Sequence, residues 1–249
     1  MVHSSLSQIG HVVGGPHAVI DTLMEVVGAN GTIMMPSYFS AEYAFEAYRR
    51  GEPVDLRTEK SKNGVITEVF RQRPDVHRSS HPFSPVCAWG EHAHYLTEAH
   101  HCGERVCHKD SPLARHTQLN GKTLGLGVSV AYLGVYHVVE DQFDGYPFDT
   151  SSPPAEIEYV DQSGNKVCRM VRRYDPGISR TRIDTDRGHW ILDFMTKKLR
   201  KRMVLHEFKV GLANSFWVEG SVAYKELCGL ATQGITIYMT QKEWGFSRK

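Results

Sequence analysis

Apolar positions along this chain follow two rhythms: a three-to-four-residue spacing that belongs to helices, and short continuous runs that belong to buried strands. Val19, Leu23, Val26 and Val27 keep the first rhythm, with Pro16 ahead of them and Gly28 behind, the usual asymmetry of helix ends. Residues 32–35 read as a buried strand stopped by Pro36. Ahead of the helix, Val2 leads straight into His3-Ser4-Ser5-Leu6, which reads as the end of a strand and suggests an element upstream. Strand, the turn Val12-Val13-Gly14-Gly15-Pro16, helix and strand, in that order, predict a parallel αβ layer with both sheet faces covered.

Further along, residues 38–63 are aromatic and charged without a period, as expected of a surface excursion shaped around a ligand or partner. Residues 64–73 read as a helix with Val65, Val69 and Phe70 on one face, and Arg78-Ser79-Ser80-His81-Pro82 as a loop. Residues 86–100 are a helix or a strand-to-helix junction, and 122–128 a strand. A helix starts at Tyr136-His137-Val138-Val139-Glu140. Residues 157–160 and 166–173 flank Ser163-Gly164-Asn165 as a hairpin. Helices over 189–202 and 222–230 and a last strand over 234–238 complete an α/β fold, a mixed central sheet covered by helices, taken as one domain over residues 1–249.

Charge narrows the partners. Lysine and arginine number 29 against 28 aspartates and glutamates, so no general field draws in nucleic acid or an anionic membrane. No apolar run reaches the roughly 20 residues of a membrane helix, and Met1-Val2-His3-Ser4 lacks the features of a secretory signal, so the expected compartment is the cytoplasm. Five scattered cysteines without a CxxC pair argue for reduced thiols. Fourteen histidines are many, and His92, His94, His100, His101 and His108 gather near Cys102 and Cys107. Their spacing fits no zinc pattern, so no metal is expected; structural histidines on a wet helix, at a homodimer contact for instance, are favoured.

Four ordered segments carry a resemblance. His3-Ser4-Ser5-Leu6-Ser7-Gln8-Ile9-Gly10, Gly31-Thr32-Ile33-Met34-Met35-Pro36-Ser37, Arg78-Ser79-Ser80-His81-Pro82 with Ala88-Trp89-Gly90, and Asp110-Ser111-Pro112-Leu113 resemble motifs of the aminoglycoside 3-N-acetyltransferase family. Gly121-Lys122, Leu126-Gly127-Val128 and then His137 with Glu140 are similar to its strand, loop and catalytic-histidine block, and Gly211 to its glycine turn before the final helix. The resemblance implies acetyl-CoA as co-substrate, an aminoglycoside or amino-sugar-like amine as acceptor, and direct transfer without a covalent enzyme intermediate.

On that reading His137 is the general base, since a neutral imidazole titrates near physiological pH, and Glu140, on the same helix face, holds its tautomer. The alternative is a buried hydrogen-bonded histidine at a helix start. His3, Ser4, Ser5, Leu6 and Ser7 are expected along the pantetheine arm, Gly14 and Gly15 at the pyrophosphate, and Ser37 near the acyl group. Tyr174 and Asp175 would meet the acceptor, and His81 serves either as a second polar wall of the site or as a loop anchor. Arg172, Arg173, Arg180 and Arg182 would repel a polycation and suit an acceptor with phosphate or carboxylate, unless they form a solvated basic face. The loop 129–136 lacks the polar residues usual in the family, which points away from an antibiotic and toward another amine. Two other classes stay open: a non-catalytic CoA-binding or scaffold protein, and a serine hydrolase, against which stands the lack of a Gly-x-Ser-x-Gly elbow.

Overall fold

The computed structural model describes residues 1–39, 50–179, 181–182 and 190–238. Ten strands lie in chain order at Val2–Ser4 (β1), Thr32–Pro36 (β2), Val54–Asp55 (β3), His77–Arg78 (β4), Val86–Gly90 (β5), Lys122–Leu126 (β6), Ala155–Val160 (β7), Lys166–Val171 (β8), His206–Val210 (β9) and Ala213–Glu219 (β10). Helices occupy Leu6–Ile9 (α1), Gly15–Val27 (α2), Val65–Arg71 (α3), Ala93–Thr97 (α4), Pro112–Gln118 (α5), Val135–Gln142 (α6), Pro176–Ser179 (α7), Trp190–Lys201 (α8) and Gly220–Ala231 (α9).

The strands form three sheets, of order β1-β6-β10-β9, β2-β5-β4 and β3-β7-β8. Mixed pairing with helical cover matches the expected class, but the parallel αβ unit at the start does not form. β2 pairs antiparallel with β5, while β1 pairs parallel with the distant β6, setting His3 opposite Gly125. The reason is local: β6 offers a backbone that can come close. A Cβ on Gly125 would lie 2.2 Å from the ring of its ladder partner Phe216, and one on Gly127 would lie 2.7 Å from Cβ of Gln8. Missing side chains therefore let α1 and β10 close on the end of β6, where β1 ends too.

In two helices part of the expected apolar face is buried and part is exposed. In α2 the buried residue is Ile20, supported by Val19, Leu23 and Met24, and Val26 is 78% exposed because six positions from Ile20 lie well off that face. In α3, Ile66 and Phe70, one turn apart, enter the core, while Val65 is 49% exposed. Residues 234–238, expected as a strand, are not one. Gly234 ends the α9 exit turn, the Ile235 amide returns to the Leu230 carbonyl at 3.0 Å, and Ile235, Ile237 and Tyr238 pack into the cluster around α6 and α9 without a ladder. The run is apolar because it is buried, and the amides of Gly234, Ile235 and Tyr238 bond locally. β9, rich in charge, escaped the pattern because four of its five residues are exposed at a sheet edge.

Two glycines should respond oppositely to substitution. Gly125→Val forces the Phe216 ring aside and should lower unfolding stability by about 1–3 kcal/mol; Gly229→Ala, where an added Cβ meets nothing within 4 Å inside α9, should raise it by about 0.5–1 kcal/mol. Urea unfolding midpoints with unchanged slopes would check both signs.

Candidate active site

α6 is anchored by Val135, Val138 and Val139 in the core, and this leaves His137, Glu140 and Asp141 on one side of the helix. Nδ1 of His137 lies 3.3 Å from each carboxylate oxygen of Glu140. The carboxylate is fully buried, whereas 22% of the imidazole side chain is exposed. A carboxylate can only accept there, so Nδ1 carries the proton and Nε2 keeps its lone pair.

Glu140 does not stand on His137 alone. Its Oε2 accepts a hydrogen bond from the Tyr238 hydroxyl at 3.0 Å and lies 3.5 Å from Oγ1 of Thr150. Burial, then the nearby Glu140 charge, pushes the Tyr238 hydroxyl well above its ordinary range, so it remains a donor. The neighbouring Asp141 side chain is also buried; its carboxylate accepts from the Cys107 amide at 2.8 Å, from Arg105 at 3.2 Å and from the Tyr174 hydroxyl at 3.3 Å. Burial raises the Asp141 pKa against the pull of those donors. Through this bond the Tyr174 ring is laid on the His137 ring, with centroids 4.8 Å apart at 29°.

A cleft of about 730 Å³ opens nearby. His3 and Ser4 at the end of β1, Ser5 and Ser7 with Gln8 around α1, Pro36 after β2, Lys62 with Asn63, the 127–132 loop, and Leu212 with Asn214 line it. Among the described residues the lining contains one permanent cation, Lys62. His3 ties the cleft to the histidine pair: it lines the cleft, and its ring feels His137 electrostatically, although burial is the larger cause that pulls its pKa to about 3. Buried His3 Nε2 and Ser4 Oγ make no hydrogen bond within the protein, which leaves polar atoms for an extended, amide-bearing ligand.

The structure thus gathers His3, Ser4, Ser5 and Ser7 at the cleft and pairs His137 with Glu140. It places the other candidates elsewhere. Leu6 turns into the core beside Ile9, and Gly14 and Gly15, both with positive φ, stand at the start of α2 and are not among the residues lining the cleft. Ser37 is wholly buried beside the Cys87 thiol, and its neighbour Pro36 reaches the cleft instead. Asp175 caps α7, its Oδ1 accepting from the amides of Gly177 at 2.8 Å and Ile178 at 3.1 Å. Tyr174 is stacked on the His137 ring. Arg172 is paired with Glu104 at 3.3 Å; Arg180 lies outside the described residues; Arg182 is within electrostatic reach of Tyr38 and Tyr238. Lys62, Asn63, Thr150 and Tyr238 went unread, since each is a single polar residue with no spacing that marks it.

His81 is a loop anchor. Its Nδ1 accepts from the amides of Phe83 at 3.2 Å and Ser84 at 3.1 Å, and its ring stacks on His100 at 4.5 Å. His100 in turn donates from Nε2 to the Val106 carbonyl and accepts from Ser79, whose oxygen also receives the Val86 amide. Among the described residues no group of three or more histidines, cysteines and acids is placed to hold a metal ion, and no helix is long and apolar enough to cross a membrane.

Comparison with known proteins places this geometry. The family profile described as aminoglycoside 3-N-acetyltransferase matches residues 1–227. The chain is similar to aminoglycoside N(3)-acetyltransferase VIII of Streptomyces fradiae, 35% identical over 190 residues covering 70% of this chain and 64% of that enzyme. It therefore spans just under two thirds of that relative's length. In fold it is similar to the structure of AAC-IIIb in a binary complex with CoASH, with a TM-score of 0.74 and 23% identity over 94% of this chain and 88% of the other. It is also similar to AAC(3)-Xa, with a TM-score of 0.74 and 26% identity over 97% and 87% of the two chains.

The buried histidines set a pH dependence of stability. Burial pulls His81, like His3, from 6.5 to about 3 and moves His100 the same way, so the native state takes up these protons later than the unfolded chain. Stability is complete above about pH 6.5 and is lost as pH falls from there toward 3, by up to about 1.4 kcal/mol per pH unit for each ring. His81→Asn, which keeps an acceptor for the two amides without the titration, should show a shallower slope of unfolding free energy between pH 7 and 5.

Proposed function

Because the chain belongs to the aminoglycoside 3-N-acetyltransferase family, we propose that it moves an acetyl group from acetyl-CoA to an amine of an aminoglycoside or amino-sugar-like acceptor, directly and with His137 as general base. The observation that carries this reading is the His137–Glu140 pair at 3.3 Å, partly open to solvent on the imidazole side only, with His3 linking it to the cleft. An extended thioester fits the cleft along His3, Ser4, Ser5 and Ser7, with Lys62 available to its phosphates.

The chemistry follows from the pair. As the amine nitrogen attacks the thioester carbon, it must shed a proton, and Nε2 of His137 takes it. The carbon–sulfur bond breaks, the thiolate of CoA leaves, and the imidazolium returns the proton to it or to solvent. Glu140 stabilises the imidazolium through Nδ1–H and keeps the neutral ring in the tautomer that exposes Nε2. Tyr174 stacked on the ring fixes its plane. No nucleophilic side chain is asked to carry the acetyl group. The alternative, a CoA-binding scaffold, has the cleft in its favour but gives the aligned pair no task.

A panel of amines with acetyl-CoA, including kanamycin-type aminoglycosides and nucleotide-linked amino sugars, read by release of free thiol, tests the activity. Thiol release dependent on at least one amine is expected; acetyl-CoA binding without amine-dependent release would favour the scaffold. In an active preparation His137→Ala should lower kcat by a factor of about 10²–10⁴ and leave the acetyl-CoA Kd unchanged by calorimetry. Near-normal turnover would remove His137 from the mechanism.

A further inference from the structure

We propose that Tyr238 is a positioning residue for the transfer, acting on His137 through Glu140; the inference rests on the reading of His137 as base. The carboxylate of Glu140 is fully buried, and its donors come from three parts of the chain: His137 on its own helix, Thr150 from the loop beyond it, and Tyr238 about a hundred residues away. Tyr238 makes the shortest of these contacts, 3.0 Å, with its hydroxyl as donor. Its ring is held in place. The Tyr238 amide donates to Oγ1 of Thr236 at 3.1 Å, and the ring meets Phe148 edge-on at 6.0 Å and 68°.

The hydrogen bonds converge on one oxygen: Oε2 accepts from Tyr238, from Nδ1 of His137 at 3.3 Å and from Thr150 at 3.5 Å, while Oε1, also 3.3 Å from that Nδ1, has no hydrogen-bond partner of its own. Removing the Tyr238 hydroxyl takes away the shortest of the three contacts to Oε2 in a buried site and leaves more of the charge to His137. The carboxylate then binds a proton, or draws the imidazolium, more strongly. Either response raises the pH at which the pair becomes competent as a base, and the two protons must be treated as belonging to the pair.

Among the described residues, the charged or titratable groups around the pair, Asp141 apart, keep one state in the working range. Tyr146 and Tyr174 feel the Glu140 charge and stay protonated, because burial raises both. The Cys107 thiol stays neutral for the same reason, and His3, pulled to about 3, carries no proton. Arg182, near Tyr238, is permanently charged. Asp141, raised by burial and coupled to Glu140, is the one additional group that titrates on the acid side, so its state is tied to the same measurement.

Tyr238→Phe deletes only the hydroxyl. Ring-nitrogen NMR of His137 should show its titration moved up by about half to one pH unit relative to the unaltered protein. The acid limb of kcat against pH should move with it, kcat at neutral pH should fall about tenfold, and KM for acetyl-CoA should hold. If the variant folds poorly, 3-fluorotyrosine at position 238, a stronger donor of the same shape, should move both readouts the opposite way. A titration of His137 that superposes on that of the unaltered protein in either variant overturns the proposal, as does a fall in kcat without movement of the pH limb. The NMR arm needs no turnover, so a protein that acetylates no amine would sink the transferase reading and leave this inference to be decided by the titration.

Discussion

A single buried carboxylate organises the chemistry of this molecule. Glu140 has no exposed side-chain surface, so its charge must be answered from within, and the answer comes from His137, Thr150 and Tyr238 at 3.0–3.5 Å. Each partner sits on a different stretch of backbone. Satisfying one charge therefore fixes the register of α6, the loop that follows it and the segment beyond α9 relative to one another. Losing any of them leaves a desolvated charge with fewer donors, which costs more than an ordinary hydrogen bond gains.

The second arrangement that matters is the closeness of backbone at the end of β6. Gly125 makes room for Phe216, Gly127 for Gln8 and Ala213, and β1 lies parallel alongside. His3 and Ser4 thereby end beside the 127–132 loop, which leads within a few residues into α6. The cleft and His137 are linked because one strand and its loop serve both. Asp141 extends the arrangement outward, since its bond to the Tyr174 hydroxyl holds an aromatic ring flat on His137, and Arg105 closes the other side of that carboxylate.

The histidine-rich stretch has a different use. Ser79 is hydrogen-bonded to His100, and His81 stacks on the His100 ring; the backbone amides on His81 Nδ1 and the Val106 carbonyl on His100 Nε2 fix the two tautomers. These residues hold the loop between β4 and β5, and so the wall of the second sheet. Such a network is rigid when satisfied and sensitive to acid.

What could be read from residues alone was whatever local rules govern. The ends of α2, with Pro16 and Gly28, the strand before Pro36, the hairpin around Gly164 and the helix bearing His137 three residues ahead of Glu140 all follow from backbone preferences and periodicity within a dozen residues. The serines after β1 were legible as a cleft edge only through the ordered motifs that accompany them. Tertiary structure alone decided that β1 would join β6 and not β2, that Ser37 would turn inward while Pro36 faced the cleft, that Asp175 would be spent on a cap, and that an apolar run at 234–238 would deliver Tyr238 to Glu140 in place of forming a strand. The physical reason is one of range. Periodicity records that a side chain is buried, but a hydrogen bond across a hundred residues leaves no spacing in the sequence, because its partner is chosen by the packing of everything between.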